Sequence, residues 1–101
     1  MFFFPIIIVD GVSMCPTYQD RQLLLATRLF RYNKLKAGRV YVFHSPSGEV
    51  VIKRLAYEKD GMCYFLGDNE EESFDSRYYG YVPKSMIIAK IVFTKKKKEV
   101  E

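Results

Sequence analysis

Between residues 3 and 93 the chain is a succession of short runs rich in β-branched and aromatic residues. Turn formers separate the runs, and no stretch repeats its apolar residues at helical spacing. That pattern predicts a mainly β protein of antiparallel strands with few or no helices. The expected strands cover residues 3–9, 22–27, 39–44, 49–57, 62–66 and 86–93. Ser45-Pro46-Ser47-Gly48 reads as a hairpin loop, with Gly48 free to take a positive φ, and Lys59-Asp60-Gly61 offers a second. Together they predict a meander over residues 39–66 with Lys53 on its middle strand. Residues 10–20 and 67–77 refuse the strand pattern and are rich in polar groups.

A chain of 101 residues is long enough for one modest core. The expected organisation is one domain over residues 1–94 and a charged, disordered tail over residues 95–101. Hydrophobic residues make up 49% of the chain and aromatics 16%, which argues against disorder elsewhere. The formal charge of +4 reduces to the run Lys95-Lys96-Lys97-Lys98, without which the body is neutral. No basic residues are interleaved with aromatics on a recognisable module, so nucleic acid is not an expected partner. Cys15 and Cys63 have neither CxxC spacing nor histidine partners, so neither a zinc site nor a redox pair is expected, and reduced structural thiols are.

The apolar N-terminus, residues 1–9, is too short for a spanning helix of roughly 20 residues. It also lacks the basic region and small-residue cleavage site of a signal peptide. Pro5 and three consecutive isoleucines favour a strand that is buried or faces a partner.

Two residue types stand out chemically. A serine nucleophile needs a base beside it, and the one histidine, His44, ends a predicted strand with no aspartate in a matching motif. Lysine can serve as a base only when neutral, which requires burial to lower a pKa normally near 10.4. Lys53 lies in Val50-Val51-Ile52-Lys53-Arg54-Leu55, the most apolar setting of any lysine in the meander, and alternation places it on the face of Val51 and Leu55. The plain alternative is a strand lysine whose stem packs on the sheet and whose ammonium reaches water. Ser13 follows the first apolar strand in a turn flanked by Gly11 and Pro16, which can hold its hydroxyl clear of the sheet. Asp75 and Arg77 lie two apart, so in an extended segment they would project to one side and pair.

Ser13-Met14-Cys15-Pro16-Thr17 resembles the S-M-x-P-T box of type I signal peptidases, and Lys53-Arg54 resembles their K-R box. The segment from Gly67-Asp68-Asn69 through Ser73, Asp75-Ser76-Arg77 to Gly80 and Val82 resembles their G-D-N-x-x-x-S-x-D-S-R box. The three boxes occur in the family's order and cover most of the chain. The resemblance implies a small signal-peptidase-like, repressor-peptidase-like β fold with no metal and no organic cofactor. It implies Ser13 as nucleophile, Lys53 as general base and Ser73 as the hydroxyl that orients the lysine amine. Gly11 and Met14 would border the substrate pocket and oxyanion region, where the Ser13 N–H is a donor. Asp68, Asn69, Asp75 and Arg77 would support the site.

The expected substrate is an extended signal-peptide segment cut after a small residue, with a membrane surface or membrane partner nearby and the site on the extracytoplasmic side. The sequence departs from the family at Gly11, where some members carry a serine hydroxyl for the oxyanion hole, at Gln19-Asp20 and at Gly38-Arg39-Val40. It reads as a minimal core, without the membrane anchor or the insertion of larger members. Docking through residues 1–9, membership of a larger assembly and origin as a piece of a longer chain all remain open. Two other readings compete. A self-cleaving repressor-type domain would need an Ala-Gly or Cys-Gly segment before the serine, and none occurs. A catalytically silent module of the same fold would keep the boxes for packing alone.

Overall fold

The computed structural model describes residues 6–28 and 34–92. Among them, seven strands form one antiparallel sheet: β1 (Ile6–Ile8), β2 (Leu23–Thr27), β3 (Val40–His44), β4 (Val50–Lys59), β5 (Met62–Leu66), β6 (Val82–Pro83) and β7 (Ile87–Ile91). Their order is β1-β2-β7-β3-β4-β5-β6. One short helix, α1 (Ser76–Tyr79), and two single 3-10 turns at Glu70–Glu72 and Lys84–Met86 complete the elements. All six predicted strands are present, with ends differing by a few residues. Residues 3–5 of the first, residue 93 of the last, and the tail at 95–101 lie outside the described residues. The two-residue β6 and the single turn of α1 were not expected, being too short to leave a period in the sequence.

Both predicted hairpins form. The β3/β4 hairpin pairs His44 with Val50 and closes through Gly48 at φ +90°. The β4/β5 hairpin pairs Lys59 with Met62 around Asp60 and Gly61, whose φ values of +52° and +79° suit the twist of the two strands.

The central strand β3 is buried on both faces, and its alternation feeds two cores. Val40 and Val42 join Val9, Met14, Tyr18, Leu24, Ala26, Ala89 and Ile91. Tyr41 and Phe43 join Leu55, Cys63, Phe65, Val82 and Ile87, with Phe43 stacked on Phe65 at 4.0 Å. Ile87 and Ala89 are two apart on β7 yet serve different cores. A register shift opposite Val42 and Phe43 skips Ile88 and turns the strand over. Both cysteines are free thiols, Cys63 fully buried and Cys15 half-buried.

β1 pairs only with β2, so it is an edge of the sheet. β4 pairs with β3 from Val50 onward, but its pairing with β5 begins only at Arg54. Among the described residues, β1 and the first half of β4 each leave a free strand edge beside the loop of residues 10–20 and Lys53. The first runs directly into the Asp10–Asp20 loop and the second ends at Lys53.

Candidate active site

The loop after β1 is fixed from both ends. Val9 N–H donates to the Gln22 carbonyl at 2.9 Å and Arg21 N–H to the Val9 carbonyl at 2.7 Å. Gly11 turns at φ +94° and its N–H donates to Asp20 Oδ1 at 2.8 Å. Met14 and Tyr18, each 1% exposed, anchor the loop in the first core. Ser13 is thereby held half-exposed between a rigid turn and a buried side chain.

Lys53 Nζ lies 2.7 Å from Ser13 Oγ and donates to it. The lysine is 6% exposed, and burial is the main influence on its amine, lowering its pKa below the usual 10.5 while the charge of Asp75 pushes it back up. β4 supplies this burial because Lys53 and Leu55 share the inward face, and Leu55 belongs to the second core. His44, at the end of β3, is exposed and away from this contact.

The polar loop of residues 67–77 wraps the pair from behind. Asn69 N–H donates to the Ser13 carbonyl at 2.9 Å, and Asn69 Nδ2 donates to the Val12 carbonyl at 3.1 Å. Asp68 accepts from Thr17 Oγ1 at 2.6 Å and, bidentately, from Arg54 Nε and Nη2 at 2.8 Å each. Arg54 also donates to the Gly38 carbonyl at 2.6 Å. One buried carboxylate thus ties the Ser13 loop, the Lys53 strand and the loop of residues 67–77 together.

Asp75 is the second such hub. It is fully buried and accepts from Gly67 N–H at 2.8 Å, from Ser73 Oγ at 2.7 Å and from three donors of Arg77. Burial alone would raise its pKa, but these hydrogen bonds, led by the Arg77 guanidinium, win and hold it at about 2.

One expectation needs correction. Asp75 and Arg77 do pair, but not as alternate residues of an extended segment. Asp75 caps α1 with its side chain accepting the Arg77 N–H, and the first helical turn brings the guanidinium back over the carboxylate. The Ser73 hydroxyl spends its proton on Asp75, and no hydrogen bond to Lys53 forms among the described residues. With that proton committed, only the Ser73 lone pairs remain to face an ammonium. Met14 does line the groove beside Ser13, yet it packs chiefly into the core.

Gly67 has a role beyond turn formation. A Cβ there would overlap the Ser73 hydroxyl and come within 2.6 Å of Ser73 Cβ and 2.8 Å of the Ser13 carbonyl oxygen. The loop of residues 67–77 approaches the Ser13 turn this closely only because position 67 has no side chain. Sequence reasoning also passed over Thr17 and Arg54. The available signal was that each stands in one of the boxes and that a buried aspartate needs charged partners.

Two cavities meet at Ser13 and Lys53. The first, about 260 Å³, runs between residues 7–10 on the β1 side and residues 49–52 on the β4 side. The second, about 240 Å³, continues past Gly11 and Val12 to Glu72, Phe74 and Tyr79. Among the described residues the buried Tyr79 hydroxyl has no hydrogen-bond partner, and burial together with the Asp75 charge pushes its pKa up to about 12. Among the described residues no three histidine, cysteine, aspartate or glutamate side chains cluster to hold a metal ion. The Ser13 hydroxyl and the partly desolvated Lys53 amine stand where the two cavities meet.

Residues 59–95 match the family described as signal peptidase, peptidase S26. That stretch includes the loop of residues 67–77 but neither Ser13 nor Lys53. The chain is 28% identical over 111 residues to mitochondrial inner membrane protease subunit 1 of Mus musculus, covering 87% of this chain and 67% of that protein. It is 33% identical over 79 residues to signal peptidase I of Buchnera aphidicola, covering 75% of this chain but 24% of the relative. To signal peptidase I of Bacillus caldolyticus it is 23% identical over 145 residues, covering 92% and 80%.

Proposed function

We propose, from the premise that this chain belongs to the type I signal peptidase-like family, that it is a serine endopeptidase in which Ser13 is the nucleophile and Lys53 the general base. The observation that carries this reading is the 2.7 Å contact between Lys53 Nζ and Ser13 Oγ, made by a lysine that burial drives toward its neutral form. With the amine neutral the contact reverses, and the Ser13 O–H donates to the Nζ lone pair. Attack of Oγ on the scissile carbonyl passes the hydroxyl proton to Nζ and forms a tetrahedral oxyanion. Collapse breaks the C–N bond, and Lys53 returns that proton to the departing amine. Water, deprotonated by the same amine, then hydrolyses the ester and restores the Ser13 hydroxyl.

Support for the oxyanion comes from the backbone. The Ser13 N–H has no acceptor among the described residues, and Gly11 brings no side-chain donor. Ser73 and Asp75 act on Lys53 through position and charge rather than by taking the proton. Asp68, Asn69 and Arg77 hold the loops that carry the reacting pair.

The substrate in this reading is an extended signal-peptide segment of a preprotein, cut after a small residue. The free edges of β1 and of the first half of β4 flank the first cavity, where an extended peptide would hydrogen-bond as an added strand. Membership of the family also points to a reaction at a membrane, on its extracytoplasmic side. The outer face of β1 and β2 is suited to that surface. Ile6 stands opposite Leu25 and Ile8 opposite Leu23, and all four aliphatic side chains are exposed. No helix among the described residues is long and apolar enough to cross a membrane.

The test is cleavage of a signal-sequence peptide in the presence of lipid or detergent by the wild type, Ser13→Ala and Lys53→Met. Cutting after a small residue by the wild type alone supports the assignment. A wild type as inert as both variants in every condition would sink it.

A further inference from the structure

The second cavity is not absorbed by the mechanism above. It shares Asp10, Ser13, Glu49, Val51 and Lys53 with the first but extends beyond them to Val12, Glu72, Phe74 and Tyr79, so a peptide whose scissile bond lies at Ser13 Oγ can reach both. The two halves of such a peptide have different needs. The acyl half stays bound through ester formation and hydrolysis, and the first cavity offers it two strand edges. The leaving half departs after the first step, and the second cavity offers it side chains instead. Its exposed apolar lining is Phe74, 66% exposed, and Val12, 43% exposed. Phe74 is not loose: its ring stacks on Tyr78 at 5.2 Å and meets Tyr79 edge-on at 5.5 Å. Glu49 and Glu72 line the same cavity.

Resting on the proposed Ser/Lys reading, we infer that this cavity is the subsite for the residues just after the cut, and that Phe74 is its specificity-determining residue. It takes an apolar side chain, which covers the exposed ring and Val12, and disfavours an acidic one, which would face Glu49 and Glu72. Its occupant is the leaving segment of the peptide whose acyl segment fills the first cavity, because the two cavities join at the reacting atoms. A fixed aromatic wall is effective here because its ordering cost is met before the substrate arrives. Covering roughly 40 Å² of apolar surface corresponds to about a fivefold preference.

The test uses one signal-sequence peptide with leucine, glycine or glutamate in the two positions after the cut. Wild type, Phe74→Ala and Phe74→Leu are compared by kcat/KM in the same lipid or detergent. The expected result is that wild type favours leucine over glycine about fivefold and cuts the glutamate peptide slowest. In Phe74→Ala the ratio of leucine to glycine cutting should fall toward one, and Phe74→Leu should regain most of the preference. A merely structural Phe74 would lower all three rates together, and that result, or equal cutting of leucine and glycine peptides by the wild type, overturns the inference while leaving the Ser/Lys reading intact.

Binding of the uncut peptides to Ser13→Ala, followed by titration calorimetry with and without Phe74→Ala, judges the subsite separately from cutting. If wild type cuts nothing but Ser13→Ala still prefers the leucine peptide through Phe74, the catalytic reading falls and the subsite stands. If neither cutting nor binding separates the peptides, the subsite falls.

Discussion

Thr17 Oγ1 donates to Asp68 Oδ2 across 2.6 Å, joining two residues separated by 51 positions. The bond ties the loop that carries Ser13 to the polar loop of residues 67–77. Asp68 also holds Arg54, the residue after Lys53, so a single carboxylate sets the spacing of all three segments that meet at Ser13. A small sheet protein has little core with which to position loops to within an ångström. Here buried, charge-assisted hydrogen bonds supply that rigidity.

Arg54→Met should therefore destabilise the fold. It removes the guanidinium from Asp68, whose side chain is 5% exposed. Breaking one side of a buried pair costs about 3 kcal/mol or more. Urea unfolding should show a lower midpoint for Arg54→Met and partial recovery in the Arg54→Met, Asp68→Leu double variant. An unchanged midpoint for the single variant would mean that the pair contributes nothing.

Gly67→Ala should cost about 1–3 kcal/mol, the usual penalty for forcing atoms into a packed site. The new methyl meets Ser73 and the Ser13 carbonyl. Activity should fall further than stability, because relief requires the nucleophile turn to move. Adding Ser73→Gly should restore part of the thermal midpoint and little of the cleavage rate, since the Ser13 contact remains.

In the proposed Ser/Lys chemistry, the pH dependence of cleavage follows from the Lys53 amine. Only the neutral amine accepts the Ser13 proton, so the rate should rise with pH, with a midpoint below the 10.5 of an ordinary lysine. Asp75 pushes the Lys53 pKa up, so Asp75→Asn should shift the rising limb to lower pH in whatever fraction remains folded. Initial rates of a single peptide across the pH range read both effects. A rising limb that does not move in Asp75→Asn would remove the electrostatic link.

Asp75 also makes a stability prediction. Its folded pKa of about 2 lies below its ordinary 3.8, so its contribution is complete above 3.8 and is lost as pH falls toward 2. The loss amounts to ~2 kcal/mol at about 1.4 kcal/mol per unit. Urea midpoints should drop over that window in wild type and drop less in Asp75→Asn. Arg77→Ala should narrow the window, since Arg77 is the strongest of the groups holding the carboxylate ionised.

Much of the sheet was legible in the sequence because strand evidence is local. β-branched runs, the Ser45–Gly48 turn and the Asp60-Gly61 pair each act over a few residues, and the meander with Lys53 at its centre follows from them. The apolar context of Lys53 was equally readable, and burial of this lysine is what the fold supplies. Less local features were not readable. No periodicity announces a single helical turn, so α1 was missed, and with it the way in which Asp75 grips Arg77. Nor does the sequence show that the Ser73 hydroxyl donates to Asp75.

The sequence by itself determined the β architecture, the turns that divide it and the residue types available for chemistry, because propensity, turn stereochemistry and hydrophobic alternation depend on near neighbours. Only the tertiary structure decided that Ser13 and Lys53, 40 residues apart, stand 2.7 Å from each other. It also decided that Gly67 leaves room for that approach and that Thr17, Arg54 and Asp68 form one hub. Those facts depend on how a twisted sheet brings distant loops together, and on which buried charges then find partners. No window of sequence contains that information.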